Sequence, residues 1–170
     1  IAEPKAIRAA VKKLEAAKSP IIVLGGGANR TVTGRMLTQF IEKTGIPFVT
    51  TQLGKGVVNE NRDEFMGCAA LSSGDFVHRA IHHADLIINV GHDVIEKPPF
   101  FMQQGGTEVV HISMNSAEVD PVYFPQIEVI GDIGNAIWQI KQDIVISPDW
   151  DFDAMYRAKA ADKEHRDSLK

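Results

Sequence analysis

Five short apolar runs, each closing on glycine or a small polar residue, constrain the fold of this chain more than any other feature. They end at Gly25-Gly26-Gly27, Thr50-Thr51-Gln52, Gly91-His92-Asp93, Ser113-Met114-Asn115 and Gly131-Asp132. The first run, Pro20-Ile21-Ile22-Val23-Leu24, has no polar position, which suits a strand buried on both faces. Pro47-Phe48-Val49 and residues 85–90, 107–112 and 127–130 read as further strands, short and rich in β-branched residues. Between them apolar residues recur at helical spacing. Ile7, Ala10, Val11 and Leu14 do so in residues 4–18, Met36, Leu37, Phe40 and Ile41 in 32–44, and Phe76, Val77, Ala80 and Ile81 in 75–84. Ala136, Ile137 and Ile140 continue the pattern after Asp132, which is placed to cap that helix, while Gly45 is placed to end the second. Strands and helices alternating at this length predict an α/β fold: a three-layer α/β/α sandwich around a mainly parallel, Rossmann-like sheet of about six strands.

The carboxyl ends of the strands in such a sheet line a crevice where a nucleotide can lie. Composition then removes other classes. With 170 residues the chain can bury a real core. A net charge of −4 and the lack of a basic stripe argue against a nucleic-acid partner. No apolar run approaches the roughly 20 residues of a membrane span, and no signal-peptide pattern is present. Cys68 is the single cysteine, so no internal disulfide can form. A cytoplasmic protein without a membrane partner is expected. The chain starts at Ile1, and residues 147–170 turn from Ser147-Pro148 into a charged stretch. Residues 1–146 therefore read as one domain of a longer protein, and 147–170 as a linker and the start of the next. Residues 52–73, with several glycines and no periodicity, are expected to be an irregular functional stretch.

Gly25-Gly26-Gly27-Ala28-Asn29-Arg30 follows a strand and precedes a helix, the setting of a phosphate-binding turn. Arg30 occupies the place of the third glycine of G-x-G-x-x-G, and Val49-Thr50-Thr51-Gln52 lacks the acid that a nicotinamide cofactor requires. Two readings stand: contact with a nucleotide, or a tight turn that needs glycine for its backbone alone. Asp93, Asn115 and Asp132 sit at equivalent strand ends and carry the same two readings, ligand contact or satisfaction of loop amides. Gly54-Lys55-Gly56 lacks Walker spacing. His78 and His82 lie four apart without the H-E-x-x-H pattern and read as a solvated helix face; no metal site is expected. Neither a G-x-S-x-G nor a paired nucleophile and base is present, so no catalytic residue is expected.

Taken in order, Leu24-Gly25-Gly26-Gly27-Ala28, Thr51-Gln52-Leu53-Gly54-Lys55-Gly56, Gly67-Cys68-Ala69-Ala70, residues 84–91, residues 111–118 and Val129-Ile130-Gly131-Asp132 resemble the central domain of thiamine-diphosphate-dependent enzymes, most closely acetolactate synthase. The resemblance covers roughly residues 4–143. It implies a parent that joins two pyruvates into 2-acetolactate with loss of carbon dioxide. Thiamine diphosphate and magnesium would be bound by flanking domains of the same polypeptide, in a homo-oligomer. The isolated domain would be inactive. In flavin-dependent members FAD, or its ADP part, lies along these strand ends. Carried over, its contacts fall on Gly25, Gly26, Gly27, Thr51, Leu53, Gly67, Gly91, Asn115, Gly131 and Asp132. Those members have an arginine and paired aspartates after the third strand's glycine. His92-Asp93-Val94-Ile95-Glu96-Lys97-Pro98 instead resembles the catabolic, flavin-free type and lacks a bidentate phosphate partner. A stand-alone nucleotide-binding or sensor module, and a relative acting on another 2-oxo acid, are the competing expectations.

Overall fold

The computed structural model of the chain describes residues 2–51, 54–68, 81–91, 107–114 and 125–168. Helix α1 (Pro4–Ala16) begins on a proline, whose missing N–H costs nothing in a first turn, and buries Ile7, Ala10, Val11 and Leu14. Strand β1 (Pro20–Leu24) leads through a single 3-10 turn (Gly26–Ala28) into α2 (Thr31–Thr44). Helix α2 stops at Gly45, which is left-handed at φ 71° and donates its amide to the Ile41 carbonyl at 2.8 Å. Strands β2 (Phe48–Thr50), β3 (Phe65–Cys68), β4 (Leu86–Val90), β5 (Glu108–Ser113) and β6 (Ile127–Ile130) follow, then helices α3 (Ile133–Asp143) and α4 (Asp153–Ser168).

The six strands form one parallel sheet in the order β3-β2-β1-β4-β5-β6. Strand order reverses between β1 and β4, which makes their carboxyl ends the topological switch point. Side chains alternate across the sheet. Ile22, Leu24, Phe48, Ile88, Val90, Val110 and Ile112 pack with α1, α2 and α3 on one face. Ile21, Val23, Val49, Ile87 and Val109 pack with Met66, Ile81, Ala84 and Met155 on the other. Every residue of β1 and β4 is buried, which accounts for runs without polar alternation. The expected three-layer α/β sandwich is what the chain forms.

Two expectations need revision or restriction. Residues 52–73 are not irregular throughout, because β3 forms within them at the sheet edge. Its register slips between Phe48↔Phe65 and Thr50↔Cys68, and Gly67 sits in the slip at φ 115°. A bulged edge strand of four residues leaves little pattern to read. The helix expected over 75–84 falls mostly outside the described residues, of which Ile81 and His82 are helical.

After α3 the chain crosses to the opposite face beneath the α1–β1 turn. The Val145 amide donates to Glu15 Oε2 (3.0 Å), Trp150 Nε1 to the Leu14 carbonyl (2.9 Å) and the Asp151 amide to the Lys18 carbonyl (2.7 Å). Ser19 Oγ donates to the Asp151 carbonyl at 2.6 Å. Asp85, just before β4, holds the same turn by accepting the Lys18 and Ser19 amides at 2.8 and 2.9 Å. The strap ends with Met155 fully buried on the second face. No helix among the described residues is long and apolar enough to cross a membrane.

Candidate functional site

The strand carboxyl ends meet most tightly at the switch point. Gly25 donates its amide to the Val90 carbonyl (2.8 Å), Gly27 to Gly91 (2.9 Å), and Gly91 to Ile112 (2.8 Å). These loops approach so closely that side chains are excluded. A Cβ on Gly91, which lies at φ 72°, would stand 2.3 Å from the Ala28 amide nitrogen, and one on Gly54 would stand 2.0 Å from the Leu24 carbonyl oxygen. The glycines thus bring protein backbone against protein backbone. Within the turn, Ala28 donates to Gly25, Asn29 to Gly26 and Arg30 to Ala28. Among the described residues the amides of 31–33, in the first turn of α2, have no hydrogen-bond acceptor, and the side chain of the cap residue Arg30 carries none to offer.

The structure brings some of the sequence-predicted site residues together and separates others. Gly25, Gly26, Gly27 and Gly91 meet at the switch point. Thr51 adjoins them, its amide and hydroxyl both directed to the Leu24 carbonyl at 2.9 and 3.4 Å. Gly131 lies at the end of β6, two strands beyond β4, and donates to the Ser113 carbonyl at 3.0 Å. Asp132 next to it caps α3, its Oδ2 accepting the Asn135 amide at 2.8 Å. Gly67 is inside the edge strand β3. From β2 to β6 the row of strand ends spans about 19 Å at ordinary strand spacing. Leu53, Asp93 and Asn115 lie outside the described residues, as does His78.

Sequence reading missed a buried polar row. Asn89 and His111 are register partners on β4 and β5, 3% and 1% exposed, and Ser113 at 6% continues on the same face. Their parity matches that of Val23 and Val109, so the second face turns from apolar to polar toward the carboxyl ends. The signal was available, because Asn89 is the polar residue of an otherwise apolar β4, and His111 and Ser113 follow Val109 at alternate positions of β5. Thr50, at the end of β2, is also fully buried, and its hydroxyl has no hydrogen-bond partner among the described residues. Groups of these kinds can hold a ligand or order a core. Among the described residues no set of three or more His, Cys, Asp or Glu could hold a metal.

Residues 7–140 match the family described as thiamine pyrophosphate enzyme, central domain. The chain belongs to this family. It is 30% identical over 142 residues to acetolactate synthase of Bacillus subtilis, covering 82% of this chain and 25% of that one. Catabolic acetolactate synthase of Raoultella terrigena is 31% identical over 140 residues, again 82% and 25% of the two chains. In fold the domain is similar to the X-ray structure of a protein from Mycobacterium smegmatis assigned to the thiamin diphosphate-dependent enzymes. That likeness has a TM-score of 0.68 at 23% identity, over 87% of this chain and 29% of that one. This central domain therefore spans about a quarter of the length of the relatives it matches.

Proposed function

We propose that this chain is the central domain of a thiamine-diphosphate-dependent enzyme of the acetolactate synthase type, which condenses two pyruvates to 2-acetolactate and releases carbon dioxide. Residues 1–146 form the domain, and residues 147–170 strap it and lead toward the next. Its own task is to space and brace the flanking domains, which hold the thiamine diphosphate and magnesium and perform the chemistry. The contact between Gly27 and Gly91 carries this reading, because it spends the switch-point glycines on internal packing. Similarity to acetolactate synthases supports the choice of parent reaction.

A second reading, an FAD or ADP groove along the strand ends, is favoured by the first turn of α2. Among the described residues no side chain caps the three amides there, and the positive end of the helix dipole lies beside the exposed Arg30. Calorimetric titration of the 170-residue chain with FAD, and with ADP for comparison, separates the two. The bracing reading expects no saturable heat from either. Saturable binding of FAD, lost on obstructing the strand ends, would replace it with the flavin-dependent type. Acetolactate formation from pyruvate by the longer protein tests the parent reaction independently.

A further inference from the structure

A second concave site lies away from the strand carboxyl ends. It is an open groove of about 560 Å³ between residues 63–64, just before β3, and one face of α4. Its helix wall presents Tyr156, Lys159, Ala160 and Lys163, spaced i, i+3, i+4 and i+7 and therefore on a single face. Asp63 and Glu64 form the opposite wall. The volume falls within the roughly 300–1,000 Å³ of small-molecule sites.

We infer that this groove binds a small zwitterion, a molecule carrying one carboxylate and one ammonium group. Hydrogen bonding in the groove decides the class. Glu64 is already engaged by Arg62, whose Nη2 and Nε reach its Oε1 at 2.9 and 3.0 Å. Arg62 also pairs with Glu42 at 3.2 Å. Lys159 is held across the groove by donating to the Asp63 carbonyl at 2.8 Å, which leaves two of its three N–H groups. The Asp63 carboxylate, the Tyr156 hydroxyl and the Lys163 ammonium have no hydrogen-bond or ion-pair partner among the described residues. The groove therefore offers two ammonium groups and a phenol on one wall, and on the other the Asp63 carboxylate, which has no ion-pair partner among the described residues, beside a Glu64 whose charge is balanced by Arg62. A simple anion would face Asp63, and a simple cation would face both lysines. A ligand with both charges satisfies both walls, with Ala160 leaving room between them.

The setting favours binding in a second way. Burial, then Glu64 and Asp63, push the Tyr156 hydroxyl above its usual range, which keeps it a hydrogen-bond donor. Burial also pulls the Lys159 ammonium down, helped by Lys163 and opposed by Asp63 and Glu64, so this wall is partly withdrawn from water. Among the described residues these are the two groups clearly shifted, and both line the same groove.

The test is an NMR titration of the 170-residue chain, following lysine side-chain ammonium groups and the backbone amides of residues 61–65 and 154–164. The probes are 4-aminobutanoate and L-alanine, with butanoate and butylamine as single-charge controls. At least one zwitterion should move the Lys159 and Lys163 signals saturably. Lys163→Gln and Asp63→Asn should each weaken that binding roughly tenfold, as should deletion of either ligand charge, since each removes a charge-assisted hydrogen bond. Both positions are at the surface, and unchanged spectra elsewhere would verify the fold. Butanoate binding as well as 4-aminobutanoate would overturn the inference in favour of a plain anion site. It would be overturned equally by the absence of any saturable shift, or by binding indifferent to Asp63→Asn.

Discussion

Gly27 donates its amide to the Gly91 carbonyl across 2.9 Å, joining the ends of β1 and β4 where strand order reverses. Gly91 is constrained twice, by φ 72° and by the Ala28 amide that would lie 2.3 Å from its Cβ. Gly45 shares the conformation, φ 71°, but has open space around the missing Cβ. Gly45→Ala should cost about 1 kcal/mol for left-handed strain alone. Gly91→Ala should cost about 3 kcal/mol or more, as strain and backbone collision add. Urea denaturation of the two variants measures the difference. Equal costs would mean that the two loops separate easily, leaving the switch point open to a ligand.

The strap beneath the α1–β1 turn depends on Trp150. Its indole N–H reaches the Leu14 carbonyl at 2.9 Å, where the Ala17 amide is a second, longer donor at 3.3 Å. Trp150→Phe keeps most of the ring contact with Phe152 and should cost about 1 kcal/mol. Trp150→Ala removes the packing as well and should cost about 3 kcal/mol. Trp138, which is exposed, remains as the fluorescence reporter for both unfolding curves.

What the sequence disclosed follows from which interactions are local. The run from Pro20 to Leu24 matches β1 residue for residue, because burial on both faces leaves a pattern that needs no partner to be read. Gly45 and Asp132 act where expected, since caps are set within one helical turn. Strand β3 was hidden because Gly67 and a register slip break its short pattern. Among the described side chains of α4 Met155 is the fully buried one, too sparse a signal to show that this helix packs on the second face. The pairing of Asn89 with His111 required the register of β4 and β5. The Gly27–Gly91 contact required the fold itself, because it joins loops 64 positions apart in sequence.

Asp132 offers a sharper division between capping and ligand binding. Its Oδ2 accepts the Asn135 amide at 2.8 Å in the first turn of α3. Asp132→Ala should destabilise the chain by about 1 kcal/mol, and Asp132→Ser should restore most of that. Thermal unfolding of the pair is sufficient. An alanine variant as stable as the parent would release the carboxylate from its structural duty and strengthen its candidacy as a ligand contact.

The α4 groove should also leave a signature in alkaline stability, through two opposed effects. Burial, then Glu64 and Asp63, raise the Tyr156 pKa above 10.0. As pH rises past that value, the unfolded chain loses its proton first and the folded chain binds more protons, so stability falls. Lys159 is lowered below 10.5, chiefly by burial, with Lys163 adding to the effect and Asp63 and Glu64 opposing it. Between its folded pKa and 10.5 the unfolded chain binds more protons, so stability rises with pH. Tyr156→Phe should therefore gain on the parent progressively above pH 10, while Lys159→Met should lose the rise that precedes it. Urea unfolding from about pH 8 to pH 11 resolves both slopes. If Tyr156→Phe instead ran parallel to the parent throughout, the phenol would be fully solvated, and a half-buried wall for the groove would be excluded.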